Sequence, residues 1–318
     1  MDLPFIYKYQ PTTLHEFEME PDLLQLIQTL ISMNSLNILF VGGSGSGKTS
    51  LIKAIVKEYY GGRKDVQENV LAINSLKEQG IAYYRNDVKT FCQTASLISG
   101  KKKIIILDDI EIINEQSQQV FRNCIDKYSH NVHFICACSN TQKVIDSLQS
   151  RMTIVKLKTL GLMKLQKIVQ KICLLENITV LPEAEAFILQ ISNHSVRTAI
   201  NYLEKCKLLR KPITLEIANK ICTNISFQAF ATFTTYLNVD RNLAAAVKVM
   251  YDMYDRGYSV MDILDNYFLF IKTTPLLTEE QKYKIIPYLC KYITVFHNVH
   301  EEDIELALFT NNLFQLLA

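Results

Sequence analysis

Eight consecutive residues, Gly42-Gly43-Ser44-Gly45-Ser46-Gly47-Lys48-Thr49, satisfy the spacing G-x-x-x-x-G-K-[ST] and carry the densest chemistry in the chain. Glycines lack Cβ, so backbone N–H groups can converge on phosphate oxygens. Lys48 can bridge the outer phosphates, and the Thr49 hydroxyl is placed to ligate Mg²⁺ at the N-terminus of the helix that continues through Ser50. These residues read as a nucleotide site that holds phosphates with Mg²⁺. Sixty residues after Lys48, the apolar run Lys103–Leu107 ends in Asp108-Asp109. A buried strand that ends in carboxylates delivers them to the sheet edge where nucleotides bind, so Asp108 is expected to hold the metal, directly or through water. A third group is Cys136-Ala137-Cys138-Ser139-Asn140. Ser139 or Asn140 could position an attacking water or report on the γ-phosphate, and either could equally cap the next helix.

Such groups need a parallel sheet to bring them together. Five short apolar runs, at 37–41, 69–73, 103–107, 132–138 and 153–157, alternate with stretches long enough for helices. This pattern predicts a five-stranded α/β domain over residues 1–157. From 158 the apolar spacing changes to three and four, as in Leu165, Ile168, Val169 and Ile172, and the remainder reads as helices. Ser259-x-x-Asp262 and Thr278-x-x-Gln281 are capping-box patterns, and Pro182 suits a first helical turn. The cations Lys101, Lys102 and Lys103 read as a solvated strand entry rather than a DNA contact.

Composition narrows the class. The chain has 318 residues with 34 basic and 32 acidic side chains, too balanced for a nucleic-acid sponge. Residues 225–318 carry 7 basic and 11 acidic side chains, which leaves the basic excess in the first 224 and makes the tail better suited to protein contacts. Only 10 Gly and 7 Pro exclude collagen-like and low-complexity chains. No apolar run reaches the roughly 18–20 residues of a membrane span, and no leader pattern opens the sequence. Eight scattered cysteines without a Cys-x-x-Cys pair read as reduced, mostly buried thiols, so the expected setting is intracellular, not secreted.

Several stretches in order then resemble one family. Phe5-Ile6-Tyr7-Lys8-Tyr9-Gln10-Pro11 with Thr13-Leu14, the phosphate loop, Asn74-Ser75, Gly80-Ile81, Gln118–Arg122, Gln149-Ser150-Arg151 and Val196-Arg197-x-Ala199-Ile200-Asn201 together are similar to the small subunits of clamp loaders, the replication factor C group of AAA+ ATPases. The resemblance is dense over residues 5–201 and beyond that is one of length and helical pattern. It implies a P-loop AAA+ domain (1–157), a helical lid (158–224) and an all-α collar (225–318). It also implies a hetero- or homopentamer that opens a sliding clamp and places it on primer-template DNA in a nuclear or cytoplasmic replication compartment. By the same resemblance, Tyr9 and Pro11 lie against the nucleotide, and Asp109 and the first-sensor residue, Asn140 or Ser139, act on the water. Arg151 is an arginine finger acting on the neighbouring subunit's nucleotide, and Arg197 is a second sensor on the γ-phosphate in cis. Ile81, Arg85 and Lys89 match a DNA-tracking helix, whose contacts would be to phosphates.

The chain departs from that pattern at informative points. The family's Asp-Glu-Ala-Asp is here Asp108-Asp109-Ile110-Glu111, so the residue expected to activate water is one methylene short. Glu111 lies two positions along and reaches the site only if the strand end bends. Gln10 stands where the signature has Arg, and Met152 follows Ser-Arg in place of Cys. Such drift suits a divergent lineage, for example a large DNA virus, and predicts firm nucleotide binding with slow hydrolysis. The alternatives to a motor subunit are an ATP-binding scaffold subunit that hydrolyses little, a P-loop small-molecule kinase, in which Arg151, Arg197 and the tail have no purpose, and an AAA+ initiator, for which no base-reading helix-turn-helix is found.

Overall fold

A computed structural model describes residues 3–43, 45–63, 66–74, 81–192, 194–222, 225, 227–298 and 302–317. In chain order the elements are α1 (Phe5–Lys8), α2 (Pro21–Ser32), β1 (Ile38–Val41), α3 (Lys48–Tyr59), β2 (Val70–Asn74), α4 (Ile81–Arg85), α5 (Asp87–Gln93), β3 (Lys103–Asp108), α6 (Glu115–Tyr128), β4 (Val132–Cys138), α7 (Asp146–Gln149) and β5 (Thr153–Lys156). Among the described residues the later elements are helices, with one isolated parallel bridge between Val180 and Ile213: α8 (Leu162–Glu176), α9 (Pro182–Ile191), α10 (Val196–Leu209), α11 (Leu215–Ile221), α12 (Phe227–Asn238), α13 (Leu243–Asp255), α14 (Val260–Thr273), α15 (Glu279–Asn298) and α16 (Ile304–Leu316). Two compact units result, residues 1–172 with 194–201, and residues 173–193 with 202–318.

The first unit is built on a parallel sheet ordered β2-β3-β4-β1-β5. Side chains alternate across it, as the two-residue period of a strand requires. Ile38, Phe40, Ile104, Ile135 and Ala137 face α2 and α3, against Ile27, Leu51, Ile55 and Tyr59. Leu39, Ile105, Leu107, Phe134 and Cys136 face α4 to α7, against Tyr84, Val88, Phe121 and Leu148. Both faces are covered, so each strand reads as an apolar run rather than an alternation. Full burial of each such side chain contributes about 1.5–3 kcal/mol.

The sheet's N-terminal edge is closed by a polar network. Asn34, left-handed at φ 55° just past α2, accepts at Oδ1 from Tyr59 Oη (2.7 Å) and from His133 Nε2 (3.0 Å). His133 Nδ1 in turn accepts from the Leu36 N–H (3.4 Å), so the ring is the neutral Nε2–H tautomer. Burial, reinforced by Lys102 and Lys101, pushes its pKa down to about 4. Lys103 corrects the sequence reading: it is buried, donates to Thr94 Oγ1 (2.5 Å) and sits 4.4 Å over the Phe91 ring. The stem is swallowed because β3 is an interior strand, and desolvation lowers the amine's pKa.

The second unit packs around aromatic side chains. Tyr267 on α14 is fully buried, stacked on Phe270 and edge-on to Phe233 of α12 and Phe309 of α16. Its helix starts follow the local chemistry read from the sequence. Ser259 Oγ accepts from Asp262 N (3.0 Å), Thr278 and Gln281 exchange bonds in both directions, and Pro182 opens α9. All eight cysteines are free thiols, six of them buried.

Candidate functional site: the phosphate loop and the strand ends beside it

Three parallel strands deliver the chemistry to one edge. The loop 42–47 leaves β1, Asp108 ends β3, and Ser139 follows β4, its neighbour on either side being β1 or β3. Gly42 is pinned by its N–H on Cys138 O (3.1 Å), and a Cβ there would meet Ser46 Oγ at 2.8 Å and Leu157 O at 2.9 Å. Gly45 and Gly47 have φ of 76° and 88°, a conformation that side-chain-bearing residues adopt only at a cost. Gly47 then caps α3, whose first residues are Lys48 and Thr49.

Lys48 is buried, and its Nζ donates to the carbonyls of Gly42 (2.7 Å) and Gly43 (3.1 Å). Thr49 Oγ1 donates to Asp108 Oδ2 at 2.6 Å, joining the two residues read as metal ligands. Ser46 Oγ is buried with no hydrogen-bond partner among the described residues. These features fit a triphosphate with Mg²⁺: a cradle that a Cβ would fill, an orphaned hydroxyl in it, and a hydroxyl–carboxylate pair of hard oxygen donors. No group of three or more His, Cys, Asp or Glu side chains among the described residues forms a metal cage by itself, so phosphate oxygens would complete the shell. Ser44 lies outside the described residues.

The strand end does bend. Asp109 takes φ 53°, ψ 52°, and a 3₁₀ turn, Ile110–Ile112, follows at once. Burial, with the carboxylates of Asp108 and Glu111 nearby, holds the Asp109 carboxyl above its ordinary value, opposed by Lys48. The bend carries Glu111 back toward β4, where its Oε1 accepts from both the N–H (2.7 Å) and the hydroxyl of Ser139. Asn140 instead caps the turn Thr141–Lys143, its Oδ1 accepting from Gln142 N (2.9 Å). Of the two first-sensor candidates, Ser139 is therefore the one tied to the carboxylate cluster.

At the amino terminus, Gln10 Nε2 donates to Ser50 Oγ (2.9 Å), and Tyr9 stands edge-on to Phe5. Pro11 and Gln10 line a cavity of about 210 Å³ with Tyr7, Thr12, Lys53 and Lys57. Arg197 is exposed in the first turn of α10, and that turn abuts the loop: a Cβ on Gly45 would lie 2.8 Å from Ser195 Oγ. Sequence reasoning missed Ser195, although its cap bond with Thr198 N (3.3 Å) is a legible helix-start signal.

Arg151 lies elsewhere. It precedes β5, which pairs with β1 from Thr153 against Ile38, so it sits at the N-terminal edge of the sheet, a strand's length from the phosphate loop. There it pairs through Nε with Asp126 of α6 and donates to Ser147 O (2.6 Å). Arg85 and Lys89 are exposed on α4 and α5. The side chain of Ile81 and the whole of Gly80 fall outside the described residues.

A parallel sheet with a glycine loop, lysine and threonine at one edge and an acidic strand end beside it defines a P-loop ATPase domain. Residues 38–160 match the family described as ATPase family associated with various cellular activities (AAA), so this segment is an AAA domain. The chain as a whole is similar to replication factor C small subunits. It is 30% identical to replication factor C subunit 3 of Saccharomyces cerevisiae over 69% of this chain and 65% of that one, just under two thirds of the yeast protein's length. It is 29% identical to the replication factor C small subunit of Methanococcus maripaludis over 90% of this chain and 89% of that one. In fold it resembles the RuvB Holliday junction branch migration motor of Thermotoga maritima, with a TM-score of 0.54 at 15% identity over 86% of this chain and 96% of that one.

Proposed function

We propose that the protein is an ATP-driven subunit of a sliding-clamp loader, acting with related subunits to open a clamp and place it on primer-template DNA. The observation that carries this reading is the division of the site between two edges of one sheet. The phosphate loop, Thr49 and Asp108 stand at one end and Arg151 at the other, so the arginine is out of reach of its own subunit's nucleotide. A chain built this way has half of two composite sites, and a neighbour's phosphate loop would receive Arg151 once Asp126 lets it go. A guanidinium can complement charge on transferring phosphate oxygens, which gives Arg151 its use there. Mg·ATP would be held by the loop, Lys48, Thr49 and Asp108, with Arg197 at the γ-phosphate. The helices after β5 would serve as lid and collar, and Arg85 and Lys89 would touch DNA phosphates.

The test is co-purification with the organism's other clamp-loader-like subunits and clamp, with ATP turnover measured with and without primed DNA. Clamp and DNA should raise turnover, and Lys48→Ala should weaken Mg·ATP binding at least tenfold, about 1.4 kcal/mol. Unchanged affinity in that variant overturns the nucleotide assignment. A second reading, an ATP-binding scaffold subunit, is favoured by one feature, the short Asp109 where the family has Glu. It predicts binding without turnover at this subunit's own site.

A further inference from the structure

Ser139 has one hydroxyl proton, and that proton is committed. Its Oγ donates to Glu111 Oε1, which also accepts the Ser139 N–H at 2.7 Å, so the residue is held at two points by one carboxylate oxygen. What remains on Ser139 Oγ is a pair of acceptor lone pairs at an exposed strand end. A serine with its proton engaged cannot donate to a phosphate oxygen, but it can accept a hydrogen bond from water. The other carboxylate oxygen, Glu111 Oε2, is buried with no hydrogen-bond partner among the described residues. Leaving a charged oxygen in that state costs on the order of 1–3 kcal/mol or more, a cost that a tie made only to brace the strand end does not need.

The placement follows from two features of the fold. β3 and β4 are parallel neighbours in register, Leu107 opposite Cys136, so residues just beyond their ends are close. The left-handed Asp109 then turns the chain so that position 111, rather than 109, reaches across to β4. Relative to Asp-Glu-x-Asp, the long and short carboxylates have changed places, and the long one has acquired the serine.

We propose that Glu111 is a positioning residue that acts through Ser139, fixing the serine as the hydrogen-bond acceptor for the water that attacks the γ-phosphate and so taking up the role that Asp109 is too short to fill. This rests on the reading of the site as one that hydrolyses ATP. The pair works by orientation: Ser139 touches the water, and Glu111 keeps the serine's lone pairs aimed at it.

The experiment uses the full chain with its co-purified partner subunits, scoring Mg·ATP affinity and single-turnover hydrolysis separately. Glu111→Gln and Ser139→Ala should each slow turnover by about tenfold or more with affinity within about twofold, as expected for an interaction made only in the transition state. The double variant should be no slower than the slower single, because the two residues act as one unit. Glu111→Asp, too short to span to β4, should behave like Glu111→Gln, whereas Ser139→Thr, which keeps the hydroxyl, should restore turnover to within about threefold of wild type. Melting curves check that each variant is folded; if Glu111→Gln is not, the Ser139→Ala and Ser139→Thr pair decides. Undiminished turnover in Ser139→Ala, multiplicative losses in the double variant, or a Thr variant as slow as Ala overturns the proposal. So does wild type that binds Mg·ATP in the assembly yet hydrolyses none. Wild type that fails to bind Mg·ATP overturns instead the nucleotide reading beneath it.

Discussion

The two edges of the sheet are made from the same strands and treat polar groups in opposite ways. At the N-terminal edge, the Asn34, Tyr59 and His133 groups are paired with one another, and Arg151 is bound to Asp126. At the C-terminal edge, three carboxylates share one strand end, Asp109 is left-handed, two glycines have positive φ, and Ser46 Oγ and Glu111 Oε2 are buried without partners among the described residues. Satisfied hydrogen bonds stabilise the fold, whereas strain and like-charge crowding persist only where surrounding structure holds them, which marks the second edge as the place reserved for a ligand.

The comparison can be broken hardest at Arg151. If the satisfied edge also serves a neighbouring subunit, Arg151→Ala should reduce turnover at that neighbour's site by on the order of 10³-fold while leaving Mg·ATP binding by the lone chain almost intact. A loss of binding by the lone chain would instead put both edges to work on one nucleotide. Mixing this variant with Lys48→Ala should give defects that complement according to neighbour order.

A smaller effect tests whether the satisfied edge is indeed structural. His133 is held neutral, with its folded pKa near 4 against an ordinary value of 6.5. The unfolded chain therefore binds more protons between those values, and the contribution to stability is present above about pH 6.5 and lost as pH falls toward 4. The loss should approach about 3 kcal/mol, read as a fall in the urea midpoint across that window, and His133→Gln should flatten this part of the profile. A pH profile identical in both proteins would show that the network does not depend on the neutral ring.

The smallest effect probes crowding at the other edge. Asp109→Asn keeps a residue that tolerates the left-handed region and removes a charge beside Asp108 and Glu111. Because the group is largely solvent-screened, the gain in stability should be only roughly 0.5 kcal/mol, measured by urea unfolding. A destabilised variant would mean that the carboxylates are mutually supported rather than crowded.

Much of this was legible along the chain. The phosphate loop is contiguous, so its glycines, Lys48 and Thr49 announce their chemistry without any fold, and each of the five strand runs sits within a residue of its strand. The bend after Asp108 was less readable, since Asp-Asp-Ile-Glu fits a continued strand as well as a turn. Lys103 misled because a lysine run is ordinarily solvated, and only its place on an interior strand buries it. Ser139 and Asn140 were indistinguishable as adjacent short polar residues until one became a cap and the other met Glu111.

The sequence by itself determined the local chemistry: which residues can cradle phosphate, where strands and helices start, and which helices cap themselves, because those depend on neighbours within a few positions. The tertiary structure alone decided which distant residues meet. The order β2-β3-β4-β1-β5 sets Glu111 beside Ser139, 28 residues away, closes His133 on Asn34 across 99, and puts Arg151 at the edge opposite its own phosphate loop. No local pattern encodes that order, since parallel strands are joined through crossovers and their adjacency is chosen by how both buried faces of the sheet pack against the helices.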